Sequence, residues 1–303
     1  MSVEEEQIEH LNNTPPKFKP NLYPVPYKKG VQAPYHISVF LGCSGSGKSY
    51  GICKMVKNAE DSGFYDPITG DKVGVISYLF SPTAQSNPIF TSLKSLNEER
   101  TINEYDDTKL IEIIEHIKSE RDEIKKYRKY IEAYKKYQRM SDEQIKNCKD
   151  YEMLGLLYQY DFKDPKDMDI PDQYVYYIIL DDCIADKKAF SNKKDNALTK
   201  AILNSRHIGI NILIASQNLR GSVPKIIRNN TDVWVLFRCK NQKVLIDDIY
   251  PELSSQYTLD EWLMYYNYAT SASDHDALVY DGKEPKKEDR MKLNFDVILR
   301  LKK

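Results

Sequence analysis

The segment with the clearest chemical potential is the glycine-rich stretch GCSGSGKS at residues 42–49, which we call the phosphate loop. It matches GxxxxGK[ST], a pattern in which backbone N–H groups surround a phosphate that side chains would otherwise keep out. Lys48 is placed to reach the β- and γ-phosphates, and the Ser49 hydroxyl can ligate Mg²⁺. A strand-like run at 36–41 precedes the loop and a helix-like run at 48–58 follows it, so a bound anion would lie at a helix N-terminus. The sequence therefore predicts a site for ATP and Mg²⁺ formed by Gly42, Cys43, Ser44, Gly45, Ser46, Gly47, Lys48, Ser49 and Tyr50.

An acid pair, Asp181-Asp182, follows the apolar run YVYYIIL at 174–180. Uninterrupted apolarity is typical of a strand buried on both faces, as in a parallel sheet. Carboxylates at the carboxyl end of such a strand lie where α/β sheets bind their ligands. We expect Asp181 to hold Mg²⁺, directly or through water, and Asp182 to polarise the attacking water.

Two further residues could complete the chemistry. Gln217 follows the apolar run at 210–215 by two residues, at the end of the predicted strand, where an amide can sense the γ-phosphate or orient water. Arg206 lies eleven residues earlier, and its guanidinium could reach the γ-phosphate of a neighbouring subunit and offset the charge that develops there. A surface or phosphate-contacting arginine is the alternative, and His207 is better explained as a structural neighbour than as a catalyst. The sequence leaves three rival arginines, Arg220, Arg228 and Arg238.

Composition narrows the class of protein. The 303 residues carry 44 Lys and Arg against 45 Asp and Glu, and this balance argues against a basic protein that coats nucleic acid. The five cysteines form no CxxC pair, which argues against a disulfide framework and a zinc knuckle. With no export signal and no apolar run long enough to span a bilayer, we expect an intracellular protein without a transmembrane segment.

The order of apolar runs predicts the fold class. Strands at 36–41, 73–80, 174–180, 210–215 and 232–237 are separated by helix-length segments, which indicates a mostly parallel, three-layer α/β sheet. Residues 1–35, rich in proline from residue 14 onward, are expected to be an extended strap. Residues 36–303 would be one nucleotide-binding domain, whose last strands, at 277–281 and 297–301, either complete the sheet or dock neighbours.

A long segment at 97–165 interrupts this pattern between the second and third strands and is predicted to be a helical insertion. Leu110, Ile117, Ile124 and Ile131 recur every seven residues, which predicts a coiled-coil-like helix that packs against a partner helix. Nine basic and four acidic side chains lie within 118–140, an excess of five positive charges. This excess fits either an arm that docks nucleic acid or a partner, or a solvated helix with internal ion pairs.

Together these segments resemble the FtsK/HerA superfamily of ring-forming, DNA-pumping P-loop ATPases, and within it the genome-packaging ATPases of poxviruses and related large DNA viruses. The resemblance rests on GCSGSGKS at 42–49, YYIILDDC at 176–183 and SRHIGINILIASQN at 205–218, extended by PKIIRNNTD at 224–232 and VWVLFR at 233–238. It implies a RecA/FtsK-like fold in which the strand before Gln217 lies between the strands of the phosphate loop and the acid pair. It also implies that Gln217 is a γ-phosphate sensor and that Arg206 acts in trans. The superfamily usually has Asp-Glu at the acid pair, whereas Asp-Asp is found in the packaging branch.

The resemblance implies an ATP-driven motor that moves double-stranded DNA, without regard to its sequence, into a viral capsid. Such a motor would be a homo-oligomeric ring, expected to be a hexamer, with capsid or portal partners, in the host cytoplasm at the viral factory or with the virion. The alternative is an assembly module that binds ATP, hydrolyses it slowly and recruits capsid or membrane partners through its helical arm. A small-molecule kinase is a third interpretation, but an acid pair followed by a glutamine strand indicates water as the acceptor.

Overall fold

A computed structural model describes residues 24–301 except 27–30, 68–69, 170, 184–189, 191–195, 221 and 240. Most of the expected strap at 1–35 therefore lies outside the described residues. The strands are β1 Val25–Pro26, β2 Ile37–Leu41, β3 Phe64–Tyr65, β4 Lys72–Phe80, β5 Thr101–Ile102, β6 Tyr174–Leu180, β7 Ile210–Ser216, β8 Val233–Phe237, β9 Ala277–Asp281, β10 Met291–Leu293 and β11 Val297–Ile298. The α-helices are α1 Lys48–Ser62, α2 Asp107–Tyr137, α3 Asp142–Lys146, α4 Tyr151–Gln159, α5 Ala197–Leu203, α6 Ser205–Ile208, α7 Lys225–Asn229, α8 Gln242–Val244 and α9 Leu259–Ala269. Short 3₁₀ turns include Pro88–Ser92 and Glu98–Arg100, and Leu245–Ile249 is π-helical.

The described strands form one sheet in the order β1-β3-β4-β6-β7-β2-β8-β9-β10-β11, with β5 paired to β4. The five central strands, β4, β6, β7, β2 and β8, are parallel. On both sides of this centre the strands run antiparallel, β1 and β3 next to β4, and β9, β10 and β11 next to β8. The expectation of a mostly parallel sheet is therefore wrong, and the sheet is mixed. Antiparallel neighbours need only short connections, such as residues 294–296 between β10 and β11, whereas each parallel pair needs a crossover.

Helices cover both faces of the sheet, as expected for three layers. Along β6, Val175, Tyr177 and Ile179 face the cluster that contains α1, and the alternate residues face the cluster that contains α2 and α5. This alternation between two buried faces explains why β6 is apolar at every position.

The helix α2 occupies most of the segment predicted to be an insertion. Asp106 caps its N-terminus by accepting hydrogen bonds from Thr108 N and Lys109 N at 2.6 and 3.2 Å. The first half buries Leu110, Ile113 and Ile117 in the main core, and the second half packs through Tyr130 and Ala133 on Met153 and Leu157 of α4. The long helix is confirmed, but a coiled coil is not. One half lies on the sheet, and at the predicted positions Ile124 and Ile131 are only half-buried.

Much of the basic excess on α2 is paired within the chain. Lys125, Lys129 and Lys136 contact Asp122, Glu152 and Asp150 at 2.8, 3.2 and 2.7 Å. Arg128 pairs with Asp66, and Arg121 donates to the carbonyl of Ile208 at 2.8 Å. These contacts favour a solvated, ion-paired helix over a nucleic-acid arm. Within the described ranges, no helix combines the length and apolarity that a membrane span requires.

Candidate nucleotide site

The phosphate loop connects β2 to α1 at the carboxyl edge of the parallel strands. The loop requires glycine for two reasons, namely backbone conformation at some positions and lack of space for a side chain at another. Gly45 and Gly47 have φ of 75° and 97°, in the left-handed region that glycine adopts without strain. At Gly42 a Cβ would lie 2.3 Å from Ser46 Oγ and 2.7 Å from Phe237 Cβ. The first turn of α1 contains no acidic residue, so the positive end of its dipole is available to an anion.

Lys48 is folded back on the loop in this structure. Its ammonium donates hydrogen bonds to the carbonyls of Gly42 and Cys43 at 2.9 and 2.8 Å. Burial lowers the pKa of Lys48, and the negative charges of Asp182 and Asp181 oppose that shift. The cation is thus held by the loop itself, where a triphosphate would replace the two carbonyls as its partner.

Asp181 ends β6 next to the loop and is 1% exposed. Its Oδ2 accepts a hydrogen bond from Ser49 Oγ at 2.8 Å, which brings together the two residues predicted to hold Mg²⁺. Burial raises the pKa of Asp181 to about 6, against the hydrogen bond from Ser49. Among the described residues, Asp181 Oδ1 and Ser46 Oγ are buried without a hydrogen-bond partner. Buried polar atoms are normally satisfied.

These features fit Mg²⁺ and phosphate. The described residues contain no group of three or more His, Cys, Asp or Glu side chains that could hold a metal by itself. Mg²⁺ in nucleotide sites is typically held by one or two protein oxygens, with phosphate oxygens and water filling the remaining positions. Ser49 and Asp181 form such an incomplete set.

Asp182 and Gln217 lie at the same edge of the sheet. Asp182 has φ of 55°, a left-handed conformation that costs a non-glycine residue about 1 kcal/mol, and its side chain is exposed. Gly42 N, at the start of the phosphate loop, donates to the carbonyl of Ser216 at 3.2 Å. Gln217 is the next residue and is exposed. Since β7 lies between β6 and β2, Gln217 follows a strand between those of the acid pair and the loop, as the resemblance implied.

The predicted trans-acting arginine, Arg206, lies far from the phosphate loop of its own chain. Arg206 lies in α6, before β7, and is therefore at the opposite, amino edge of the sheet. Its guanidinium is 3.6 Å from Asp232 and its side chain is 73% exposed. Seven strand residues separate the two edges, or about 20 Å. Arg206 therefore lies too far away to serve the phosphate loop of its own chain.

The rivals of Arg206 each have a partner in the chain. Arg228 is only 21% exposed and pairs with Glu252. Arg220 pairs with Asp248 at 2.8 Å, and Arg238, which follows β8 at the edge of the phosphate loop, pairs with Asp274 at 2.9 Å.

Two residues against the loop were not predicted. The ring of Phe237 lies 3.5 and 3.0 Å from the Cβ positions of Gly47 and Gly51, and His275 Nδ1 lies 3.5 Å from that of Gly47. His275 belongs to a polar segment with no motif, and only the pairing of β9 with β8 brings it to the site. The sequence around His275 therefore carries no signal that could have identified it.

No protein-family model matches the chain, and no curated protein matches it in sequence. Among solved structures, the genome packaging NTPase B204 of Sulfolobus turreted icosahedral virus 2 in complex with ATPγS is similar, at 14% identity and a TM-score of 0.43, over 87% of this chain and 98% of that chain. ATPases 2 and 3 of EssC from Geobacillus thermodenitrificans give 15% identity and a TM-score of 0.45, over 86% of this chain and 40% of that one. The pCW3 conjugation coupling protein TcpA with ATPγS gives 12% identity and 0.37, over 82% and 58%.

Proposed function

We propose that the protein is a Mg²⁺-dependent ATPase that drives double-stranded DNA into the capsid of a large DNA virus. The observation that carries the ATPase assignment is the convergence of four groups at one sheet edge, namely the phosphate loop, Asp181, Asp182 and Gln217. Two buried oxygens there, on Ser46 and Asp181, have no hydrogen-bond partner among the described residues. A loop that can bind phosphates, next to carboxylates and an amide, is suited to the hydrolysis of a triphosphate by water.

Each side chain has a role in that reaction. The loop amides bind the phosphates, and Lys48 leaves the carbonyls of Gly42 and Cys43 to offset charge on the β- and γ-phosphates. Ser49 and Asp181 would hold Mg²⁺, which supplies positive charge to the phosphates when bound. A carboxylate oxygen of Asp182 accepts the proton of the attacking water, and the Gln217 amide orients that water. The products are ADP and inorganic phosphate.

The motor assignment extends this chemistry and depends on the sequence resemblance. The resemblance implies that Arg206 acts in trans on the phosphate loop of another subunit, which requires a closed ring, expected to be a hexamer. A ring that tracks the DNA backbone would bind without sequence preference and more weakly at high salt. Capsid or portal components and a site of action in the viral factory follow from the same proposal.

One feature favours the alternative of an assembly module. Tyr151 and Tyr158 of α4 are 78% and 70% exposed on the helix that packs against the end of α2. Exposed aromatic side chains of this kind are common where proteins meet partners. A module of that type would bind ATP with little turnover, so the ATPase rate decides between the two functions.

The test is steady-state ATPase activity with and without double-stranded DNA. Wild-type protein is compared with Lys48→Ala, Asp182→Asn and the control Asp142→Asn, whose carboxylate is exposed on α3, away from the sheet edge. We expect DNA to stimulate turnover in the wild type and the control, and both site variants to lose about 100-fold or more in turnover. Equal rates in all four proteins would refute the catalytic assignment, and turnover that ignores DNA would refute the motor.

A further inference from the structure

The order of the strands determines where the nucleoside end of a bound nucleotide must lie. The groups that suit the γ-phosphate, Asp181, Asp182 and Gln217, follow β6 and β7, on one side of the phosphate loop. On the other side of β2 the sheet continues with β8 and β9. A triphosphate is a linear chain, so when its γ end faces β6 and β7 its nucleoside end leaves towards β8 and β9.

The segment 270–276, between α9 and β9, lies on that side. Since β9 runs antiparallel to β8, Ala277 at its start pairs with Phe237 at the end of β8, next to the loop. His275 lies two residues before Ala277. A Cβ built on Gly47 would be 3.5 Å from His275 Nδ1 and 3.6 Å from His275 Cβ, which is ordinary contact distance, so the imidazole lies directly beside the loop.

Neighbouring contacts hold this segment in place while the imidazole stays exposed. Asp274 pairs with Arg238 at 2.9 Å, and Asp276 Oδ1 accepts from Asn294 Nδ2 at 2.6 Å. The His275 amide donates to Ser273 Oγ at 3.2 Å. The residues on both sides of His275 thus each have a partner in the chain, and the His275 ring lies beside the loop.

We propose that His275 is a recognition residue that contacts the nucleoside part of the bound nucleotide and not its phosphates. This inference rests on the proposed ATPase function and deepens it. An imidazole offers a flat face for a purine ring and two nitrogens for hydrogen bonds to a base or sugar. Tyr50, in the first turn of α1 and 57% exposed, is a second aromatic side chain close to the loop in sequence.

The test compares two ligands that share phosphates and differ in the nucleoside. Affinities of ATP and of inorganic tripolyphosphate, each with Mg²⁺, are measured by calorimetry on wild-type protein, His275→Ala and the control His116→Ala. His116 is an exposed histidine of α2, on the opposite face of the sheet from α1. Circular dichroism verifies that each variant is folded.

We expect His275→Ala to weaken ATP binding about tenfold, or about 1.4 kcal/mol, and to leave tripolyphosphate binding within twofold of the wild type. His116→Ala should change neither affinity. Unchanged ATP affinity in His275→Ala, or an equal loss for both ligands, would overturn the assignment. If wild-type protein binds tripolyphosphate as tightly as ATP, the recognition role of His275 is overturned, but the phosphate site is not. Protein that binds neither ligand would overturn the proposed function as well.

Discussion

The buried carboxylate of Asp181 makes the stability of the ligand-free protein depend on pH in a direction that can be tested. Burial raises its pKa from the ordinary value of 3.8 to about 6. Between these values the folded protein binds more protons than the unfolded chain, so the free energy of unfolding rises as the pH falls. Above pH 6 the folded protein carries a buried charge that the unfolded chain exposes to water.

The size of the effect follows from the two pKa values. Each pKa unit corresponds to about 1.36 kcal/mol. The shift from 3.8 to about 6 therefore changes the free energy of unfolding by about 3 kcal/mol in total, and this change is complete below pH 3.8. Between pH 7 and pH 5 the same linkage gives about 1.3 kcal/mol. Asp181→Asn cannot titrate, and its amide oxygen can still accept the Ser49 hydroxyl, so this contribution should disappear while the local contact remains.

The assay is urea denaturation of wild type and Asp181→Asn in magnesium-free buffer at pH 7 and pH 5. We expect the free energy of unfolding to rise by about 1.3 kcal/mol more in the wild type than in the variant when the pH is lowered from 7 to 5. Because metal ligands must be deprotonated, binding of Mg²⁺ with ATP to the wild type should weaken as the pH falls below 6. Identical pH dependence in the two proteins would refute the argument that Asp181 is a desolvated carboxylate.

Two further predictions concern the amino edge of the sheet. If Arg206 acts in trans, Lys48→Ala and Arg206→Ala should each be inactive alone, and a one-to-one mixture of the two should recover about a quarter of the wild-type ATPase rate. The reason is that random mixing pairs an intact loop with an intact arginine at about a quarter of the subunit contacts. A mixture as inactive as its components would contradict action in trans. Gly209→Ala should destabilise the protein by about 2–4 kcal/mol in urea denaturation, because residue 209 has φ of 85° and its Cβ would lie 0.9 Å from Arg121 Nη1, displacing a charged hydrogen bond. Its control is Gly155→Ala on α4, where a Cβ meets nothing within 4 Å and a slight gain in stability is expected. Equal effects at the two positions would contradict both the backbone strain and the Arg121 contact as causes of the loss.

The central strands could be predicted from sequence because their signal is local. The apolar runs at 174–180 and 210–215 became β6 Tyr174–Leu180 and β7 Ile210–Ser216 with almost no change in bounds. Burial on both faces requires apolar side chains at every position, and such runs stand out from their surroundings. The position of the acid pair at the carboxyl edge follows directly from the end of β6.

The outer strands and the packing of α2 could not be predicted, because their signals are not local. Strands of two residues, such as β3 and β11, are too short for any periodicity, and their antiparallel pairing depends on where the chain turns. The seven-residue repeat on α2 marked a buried stripe but did not specify what would cover it. The sheet and α4 each cover one half. The division into strap, domain and insertion stays a prediction.

The distance between the two edges of the sheet constrains any mechanism in which Arg206 participates. Its guanidinium lies near Asp232 Oδ1, and Oδ2 of the same carboxylate accepts a hydrogen bond from the Ile37 amide at 3.1 Å, at the start of β2. The phosphate loop follows the other end of β2, five residues later. The strand β2 is hydrogen-bonded to β7 on one side and to β8 on the other. If Arg206 acts in trans, β2 is therefore the shortest connection between the surface that would meet a neighbour's nucleotide and the loop that would bind the subunit's own.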